Sequence, residues 1–240
     1  MTIAIGDVHG CYKTLLALLK KLPDDEIVFT GDLIDRGPDS MKVVRWMLGH
    51  QDIASSVIGN HEQMAISSLT TGILNNMMHW IEQGGLNTLI SYYPKENSKE
   101  NINKPNIYKS HLNFLKNLPL YIDKGDLLIT HSSLPYMGIT SEGIDFEKFK
   151  KIANPVEDYT WHREDSFLGS EGWMTELPNK VRDKFHIYGH TSVDKPLVSS
   201  YSANIDTGCI HLNRYGPNTL GNLTAFQYPE MKIFTQKCLD

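Results

Sequence analysis

Cysteine, long apolar runs and surplus basic charge are all scarce in this chain, and each scarcity excludes a class of protein. Only three cysteines, Cys11, Cys209 and Cys238, occur in 240 residues. Their odd number and wide spacing argue against a disulfide scaffold or a zinc finger. They fit a reduced, cytoplasmic protein in which each thiol is a small buried side chain. No stretch nears the ~18 consecutive apolar residues that suggest a membrane span. The opening MTIAIGDVHG lacks the basic-then-apolar pattern of a secretory signal. With a net charge of −5, nucleic acid is not expected as the main partner, although a small phosphate compound responds to the local field of a site. Neither a GxxxxGK(S/T) phosphate loop nor a GxSxG nucleophile elbow is present.

What is present is ordinary globular composition, 40% hydrophobic and 21% charged, enough for one domain spanning 1–240. Three βα units open the chain. Ile3, Ala4 and Ile5 read as a strand, followed by GDVHG and by a helical apolar stripe of Leu15, Leu16, Leu18, Leu19 and Leu22. Residues 27–30 read as the second strand, followed by GDLIDRG and a helix through Val43, Val44, Met47 and Leu48. Residues 53–58 read as the third, followed by GNHE. A mainly helical and loop insertion is expected at about 63–118, with a break at Gly84 and Gly85 and an exposed polar loop at 93–108. Beyond it, strands are expected at 120–123, 127–130, 185–188, 197–201, 203–206, 223–228 and 231–235, and a helix at 145–152. The expected fold is α/β: two packed β-sheets flanked by helices, with polar residues converging at the strand ends.

Those polar residues are Asp7, His9, Asp32, Asn60, His61, His131 and His190. Imidazoles and carboxylates together suit Mn, Fe, Zn or similar ions, and seven candidates are about right for two ions. Asp32 is the natural bridge. Asp7, His9 and Asp32 are expected on one ion, and Asp32, Asn60, His131 and His190 on the other. Such a pair would clamp an in-line displacement at phosphorus by a metal-bound hydroxide, without a phosphoenzyme. His61 would protonate the leaving oxygen, with Asp35 orienting its ring. Arg36 and Arg163, with Asn60, would contact the phosphate oxygens. Tyr136, Trp161 and Tyr215 are aromatic candidates for substrate contact, although packing is the commoner role for such residues.

The succession GDVHG, GDLIDRG, GNHE, His131 and Gly189-His190 resembles the phosphoprotein phosphatase family of metallophosphoesterases. It is most similar to the small bacterial and bacteriophage-lambda-type serine/threonine phosphatases. Glu62-Gln63-Met64, Trp161-His162-Arg163-Glu164, Tyr188-Gly189-His190-Thr191 and Ile205-Asp206-Thr207-Gly208 carry that likeness. The resemblance implies a β-sandwich flanked by helices and two divalent ions, most often Mn²⁺, with Fe, Zn or Ni as alternatives. It also implies hydrolysis of phosphoproteins or small phosphorylated compounds. The eukaryotic members' SAPNY loop is absent, so no eukaryote-type regulatory subunit is expected. The segment Arg36-Gly37-Pro38-Asp39-Ser40 also resembles the symmetrical diadenosine tetraphosphatases. That branch usually has Ala where Asp35 stands and GNHD where this chain has GNHE. A hydrolase of dinucleotides or other phosphoanhydrides is therefore the alternative on the same site.

Overall fold

The structure is a computed structural model that describes residues 1–93, 107–135, 137, 139–154, 157–162, 180–210 and 221–240. The first part contains β1 (Thr2–Ile5), α1 (Tyr12–Leu19), β2 (Glu26–Phe29), α2 (Ser40–Gly49) and β3 (Ala54–Ser56). The helical segment follows as α3 (Asn60–Thr71), α4 (Leu74–Trp80), a π-helical turn (Ile81–Gly85), α5 (Leu86–Ser91) and α6 (Lys109–Lys116). Next come β4 (Tyr121–Asp123), β5 (Leu127–Thr130), β6 (Ile139–Thr140), β7 (Gly143–Ile144), α7 (Phe146–Ile152) and α8 (Glu157–Thr160). The last part holds β8 (Phe185–Tyr188), β9 (Leu197–Val198), β10 (Ser202–Asn204), β11 (Asn222–Tyr228) and β12 (Lys232–Lys237).

Two five-stranded mixed sheets form the frame, in the orders β12-β11-β1-β2-β3 and β4-β5-β8-β10-β9. Strands β1, β2 and β3 run parallel in the first, as β5, β8 and β10 do in the second. Residue parity explains how the sheets stack. Because side chains alternate faces along a strand, Ala4 and Val28 point to the second sheet and pack with Ile129, Ile187, Ala203 and Phe226. Their neighbours Ile3, Ile5, Ile27 and Phe29 point the other way, onto α1 and α2 through Leu15, Leu18, Val43 and Met47. Phe185 and Phe226 stack across the inter-sheet layer, centroids 5.6 Å apart. The outer face of the second sheet is covered by α7 and α8 through Phe149 and Tyr159.

The expected elements are present with two instructive shortenings. The strand expected at 53–58 covers only Ala54–Ser56, because Ile58 leaves the ladder to bond the Pro119 carbonyl at 2.8 Å. The strand expected at 197–201 ends after Val198. There the Ser199 hydroxyl accepts from the amides of Tyr201 and Ser202, a local turn that competes with the sheet. Asp145 caps α7 by accepting from the Lys148 amide at 3.2 Å. The expected break at Gly84 is the π-helical turn, with Gly84 at φ 109. Most of the polar loop expected at 93–108 lies outside the described residues. Among the described residues, no helix is long and apolar enough to cross a membrane.

His186 on β8 is fully buried, and its Nε2 lies 2.7 Å from the Thr130 hydroxyl, which itself donates to the Ser132 carbonyl. The ring therefore carries its proton on Nε2 and leaves Nδ1 without a partner among the described residues. Burial lowers its pKa from 6.5 to about 3. A lowered histidine stabilises the fold above its unfolded pKa and loses that contribution as pH falls. Stability should therefore drop by up to about 1.4 kcal/mol per pH unit between pH 6.5 and 3 from this group. Chemical denaturation of His186→Phe across that range should show a shallower slope than the parent. Parallel slopes would remove His186 from the account.

Candidate active site

The parallel strands of both sheets discharge their loops at one edge. Asp7 follows β1, Asp32 follows β2, and Asn60 and His61 open α3 after β3. His131 follows β5 and His190 follows β8. All six are nearly inaccessible to solvent, at 7% exposure or less. Five site residues, His9, Asp32, Asp35, Arg36 and His190, have left-handed backbone, with φ between 46 and 72. Residues other than glycine rarely adopt that region, and strain of this kind gathers where surrounding structure over-determines a functional geometry. Close approach explains two glycines. A Cβ on Gly59 would lie 2.1 Å from Asp32 Oδ1, and one on Gly189 would lie 2.2 Å from Asp7 Oδ1.

Asp32 is the hub. Its Oδ2 lies 3.5 Å from His9 Nε2 and 3.8 Å from His61 Nε2. Its Oδ1 lies 3.4 Å from His131 Nε2 and accepts from the His61 amide at 3.1 Å. The two oxygens thus face two different imidazole groups, His9 with His61 and His131 with His190. Burial opposes ionisation of Asp32, but His131, His61, His9 and Arg36 outweigh it and hold the carboxyl well below the usual range. Asp7 sits differently from the expected three-ligand arrangement with His9 and Asp32. It falls outside both compact groups, and its oxygens accept from the Thr30 hydroxyl at 3.0 Å and the His190 amide at 3.1 Å. Burial, with Asp206 and Asp32 nearby, pushes Asp7 well above the carboxylate range.

The donor chemistry fits divalent cations. His131 Nδ1 donates to the Thr30 carbonyl at 2.8 Å, so Nε2 carries a lone pair. That lone pair meets Asn60 Oδ1 at 2.9 Å, and His190 Nδ1 lies 3.1 Å from the same amide oxygen. Acceptors converging in a buried space repel one another unless a cation or proton stands among them, and burial lowers the His131 pKa, which disfavours the proton. His9 follows the same rule. Its Nδ1 is paired with the Ile34 carbonyl at 2.9 Å, leaving Nε2 towards Asp32, the arrangement of a metal-ready histidine. Burial and the adjacent Arg36 lower its pKa well below 6.5. His9, Asp32, Asn60, His131 and His190 could therefore hold two ions, with Asp7 completing one of them.

Beside the hub stands a closely held imidazole–carboxylate pair. His61 Nδ1 lies 2.7 Å from Asp35 Oδ2. Asp35 is fully buried and accepts from the Trp80 indole at 2.8 Å and the Thr88 hydroxyl at 2.7 Å, while its own amide donates to Thr88 and Ser40. The Arg36 guanidinium spans both imidazoles, 2.7 Å from His9 Nε2 and 3.0 Å from His61 Nε2. The Arg36 backbone is held by the helical segment, its amide donating to the Gly84 carbonyl at 3.1 Å and its carbonyl accepting from Asn87. A π-helical turn that serves a site in this way is a recurrent use of that rare element. Gly85 leaves the room that the Trp80 ring occupies.

Glu62 does something its motif position alone does not announce. Oε2 accepts from the amides of Asp32 and Gly59, and Oε1 from those of Leu33 and Ile34, at 2.8–3.3 Å. Sequence reasoning missed this role, and it missed Trp80, Thr88 and Asn87 altogether. Trp80 carried only the signal of a helical aromatic. Arg163, Tyr136 and Tyr215 lie outside the described residues. Trp161 is described, its ring 6.4 Å from that of His190.

A binuclear-type constellation at the mouths of two mixed sheets defines a phosphoesterase class. The calcineurin-like phosphoesterase family matches residues 2–222, and the chain belongs to that family. A relative from Oceanobacillus iheyensis is 31% identical over 245 residues, covering 95% of this chain and 89% of its own. One from Geobacillus sp. is 32% identical over 255 residues, covering 96% and 91%. Both are named bis(5'-nucleosyl)-tetraphosphatase PrpE, asymmetrical. The crystal structure of a metallophosphoesterase from Sphaerobacter thermophilus shares the fold, with a TM-score of 0.52 at 17% identity over 98% of this chain and 87% of that one.

Glu62→Gln replaces one acceptor oxygen by an NH₂ group facing two amides. A buried group left unsatisfied costs about 1–3 kcal/mol, so with two such amides the change should cost about 2–6 kcal/mol and lower Tm by roughly 4–24 °C. Differential scanning calorimetry checks this. A Tm within ~2 °C of the parent would show that Glu62 does not tie the loops together.

Proposed function

We propose that the chain is a metal-dependent hydrolase of dinucleoside polyphosphates, cleaving a phosphoanhydride at the Asp32 centre. The relatives' names support this reading over the phosphoprotein phosphatase suggested by the motifs. The observation that carries it is an open, mainly apolar cleft of about 550 Å³ beside the centre. Ile58, Met64, Ile66, Leu118, Leu120 and Trp161 line it together with Gln63, Ser67 and Lys116, and Trp161 adjoins His190. A phosphorylated serine or threonine needs no such surface, whereas a nucleobase has a flat apolar face to bury.

The residues divide the work as follows. Asp7, His9, Asp32, Asn60, His131 and His190 would hold two divalent ions, with Mn²⁺ the first choice. Bound there, the ions supply an acidified water and positive charge against the phosphate oxygens. Arg36 turns from His9 and His61 to the phosphate, a planar two-pronged donor for two oxygens, and Arg163 is proposed as its partner. Release of Arg36 frees His61 Nε2, and the proton that Nε2 then carries goes to the departing oxygen. Asp35 keeps Nδ1 protonated and stabilises the charged ring. Both members of the pair are buried away from bulk water. The free cysteines support a reducing, cytoplasmic setting.

One observation favours the second reading, a phosphomonoesterase. The closely held His61–Asp35 pair is the device needed by a poor alkoxide leaving group, whereas a departing phosphate is a weak base. Two substrates separate the readings. Parent enzyme with Mn²⁺ should turn over diadenosine tetraphosphate at least about tenfold faster, in kcat/KM, than a phosphothreonine peptide, releasing a nucleoside monophosphate and triphosphate. His61→Asn should lower peptide turnover by roughly 10²–10⁴-fold and dinucleotide turnover by less. A clear preference for the peptide would overturn the nucleotide reading and leave the monoesterase in its place.

A further inference from the structure

The three cysteines take no part in the chemistry above, yet the fold brings them together from distant parts of the chain. Cys11 precedes α1, Cys209 follows the loop after β10, and Cys238 follows β12. Their sulfur atoms all lie within 4.8 Å of one another. Cys11 and Cys209 are fully buried in the core beneath the first sheet, and Cys238 is half-buried against it. Three sulfurs held by one ion at ~2.3 Å each would stand ~3.8–4.0 Å apart, so the cluster needs only small side-chain adjustments to close on a cation.

We propose that Cys11, Cys209 and Cys238 form a three-thiolate site for a soft d¹⁰ cation of the Zn²⁺ class. Thiolates select such ions, while the imidazole and carboxylate centre accepts harder ones such as Mn²⁺. The two sites of this chain would therefore sort metals by donor type. Binding exchanges the three thiol protons for the ion, with no change in oxidation state.

The surroundings suit this role. Cys11 stands at the N-terminal end of α1. The Thr14 hydroxyl lies 3.8 Å from the Cys238 sulfur. The chain after Cys238 is pinned to the same helix end, because Asp240 accepts from the amides of Lys13 and Thr14 and from the Thr14 hydroxyl, at 2.7–3.2 Å. The site also touches the catalytic loop, since the Cys11 thiol donates to the His9 carbonyl at 3.6 Å. An ion here would clamp three segments behind the loop that carries Asp7 and His9.

The test uses the full chain, reduced, loaded with Mn²⁺ and titrated with Cd²⁺ under nitrogen. The readout is ultraviolet sulfur-to-cadmium charge-transfer absorption, which nitrogen and oxygen ligands do not produce. One equivalent of Cd²⁺ should saturate it. Cys238→Ser and Cys209→Ser should each reduce the absorption by about a third or more and weaken binding beyond the roughly 10–100-fold that loss of a supporting partner costs. Circular dichroism checks folding, and the half-buried Cys238→Ser decides the matter if Cys209→Ser misfolds. No sulfur absorption at one equivalent, or absorption unchanged in Cys238→Ser, would overturn the proposal.

Discussion

The site depends on one buried carboxylate that never meets substrate. Glu62 gathers four backbone amides from two loops, those of Gly59, Asp32, Leu33 and Ile34. Without it, four buried donors, one of them on the left-handed backbone of Asp32, would lack partners, and each such loss is costly in the interior. With it, the GNHE turn and the GDLIDRG loop become one rigid piece. That piece presents the Asp32 carboxylate, the Asn60 amide and the His61 ring from fixed positions. Burial and the nearby Asp32 push Glu62 up to about 8, against the opposing pull of the hydrogen bonds from the Gly59 and Asp32 amides.

The same logic runs outward. Asp32 faces two imidazole groups only because its backbone holds φ 49, a conformation that an isolated aspartate rarely adopts. Asp35 and Arg36, also left-handed, aim one side chain at His61 and the other across His9 and His61. Their alignment is secured from outside the sheets, by Trp80, Gly84, Asn87 and Thr88 of the helical segment. The two-sheet frame therefore gathers the carboxylate and imidazole side chains, while the helices aim Asp35 and Arg36. A relative could keep the frame and alter leaving-group chemistry by changing the helices alone.

Much of this was legible in the residues. The glycine-flanked motifs sit at strand ends, and a strand-loop-helix period repeated three times implies loops converging on one edge. That logic needs only local pattern, and it placed Asp32 between two sets of imidazoles and paired Asp35 with His61. What escaped it was assembled by tertiary contact. Trp80 lies 45 residues from Asp35, and nothing local distinguishes it from any aromatic on a helix. Glu62 was readable as part of GNHE but not as a clasp on backbone amides. The cysteines, read singly as buried thiols, have no metal-like spacing because three remote segments deliver them. The choice between protein and dinucleotide substrates was the least legible, because both reactions draw on the same ligands. The proposed choice rests on the relatives' names and on a cleft formed by α3, the end of α6 and Trp161.

The central claim is that Asp32 joins two cation sites into one centre. Equilibrium binding of Mn²⁺, counted per chain by electron paramagnetic resonance of the free ion, tests it most directly. The wild-type chain should bind two ions, and Asp32→Asn should lose tight binding of both, since the same carboxylate faces each site. Two ions bound as tightly in Asp32→Asn as in the parent would contradict the account.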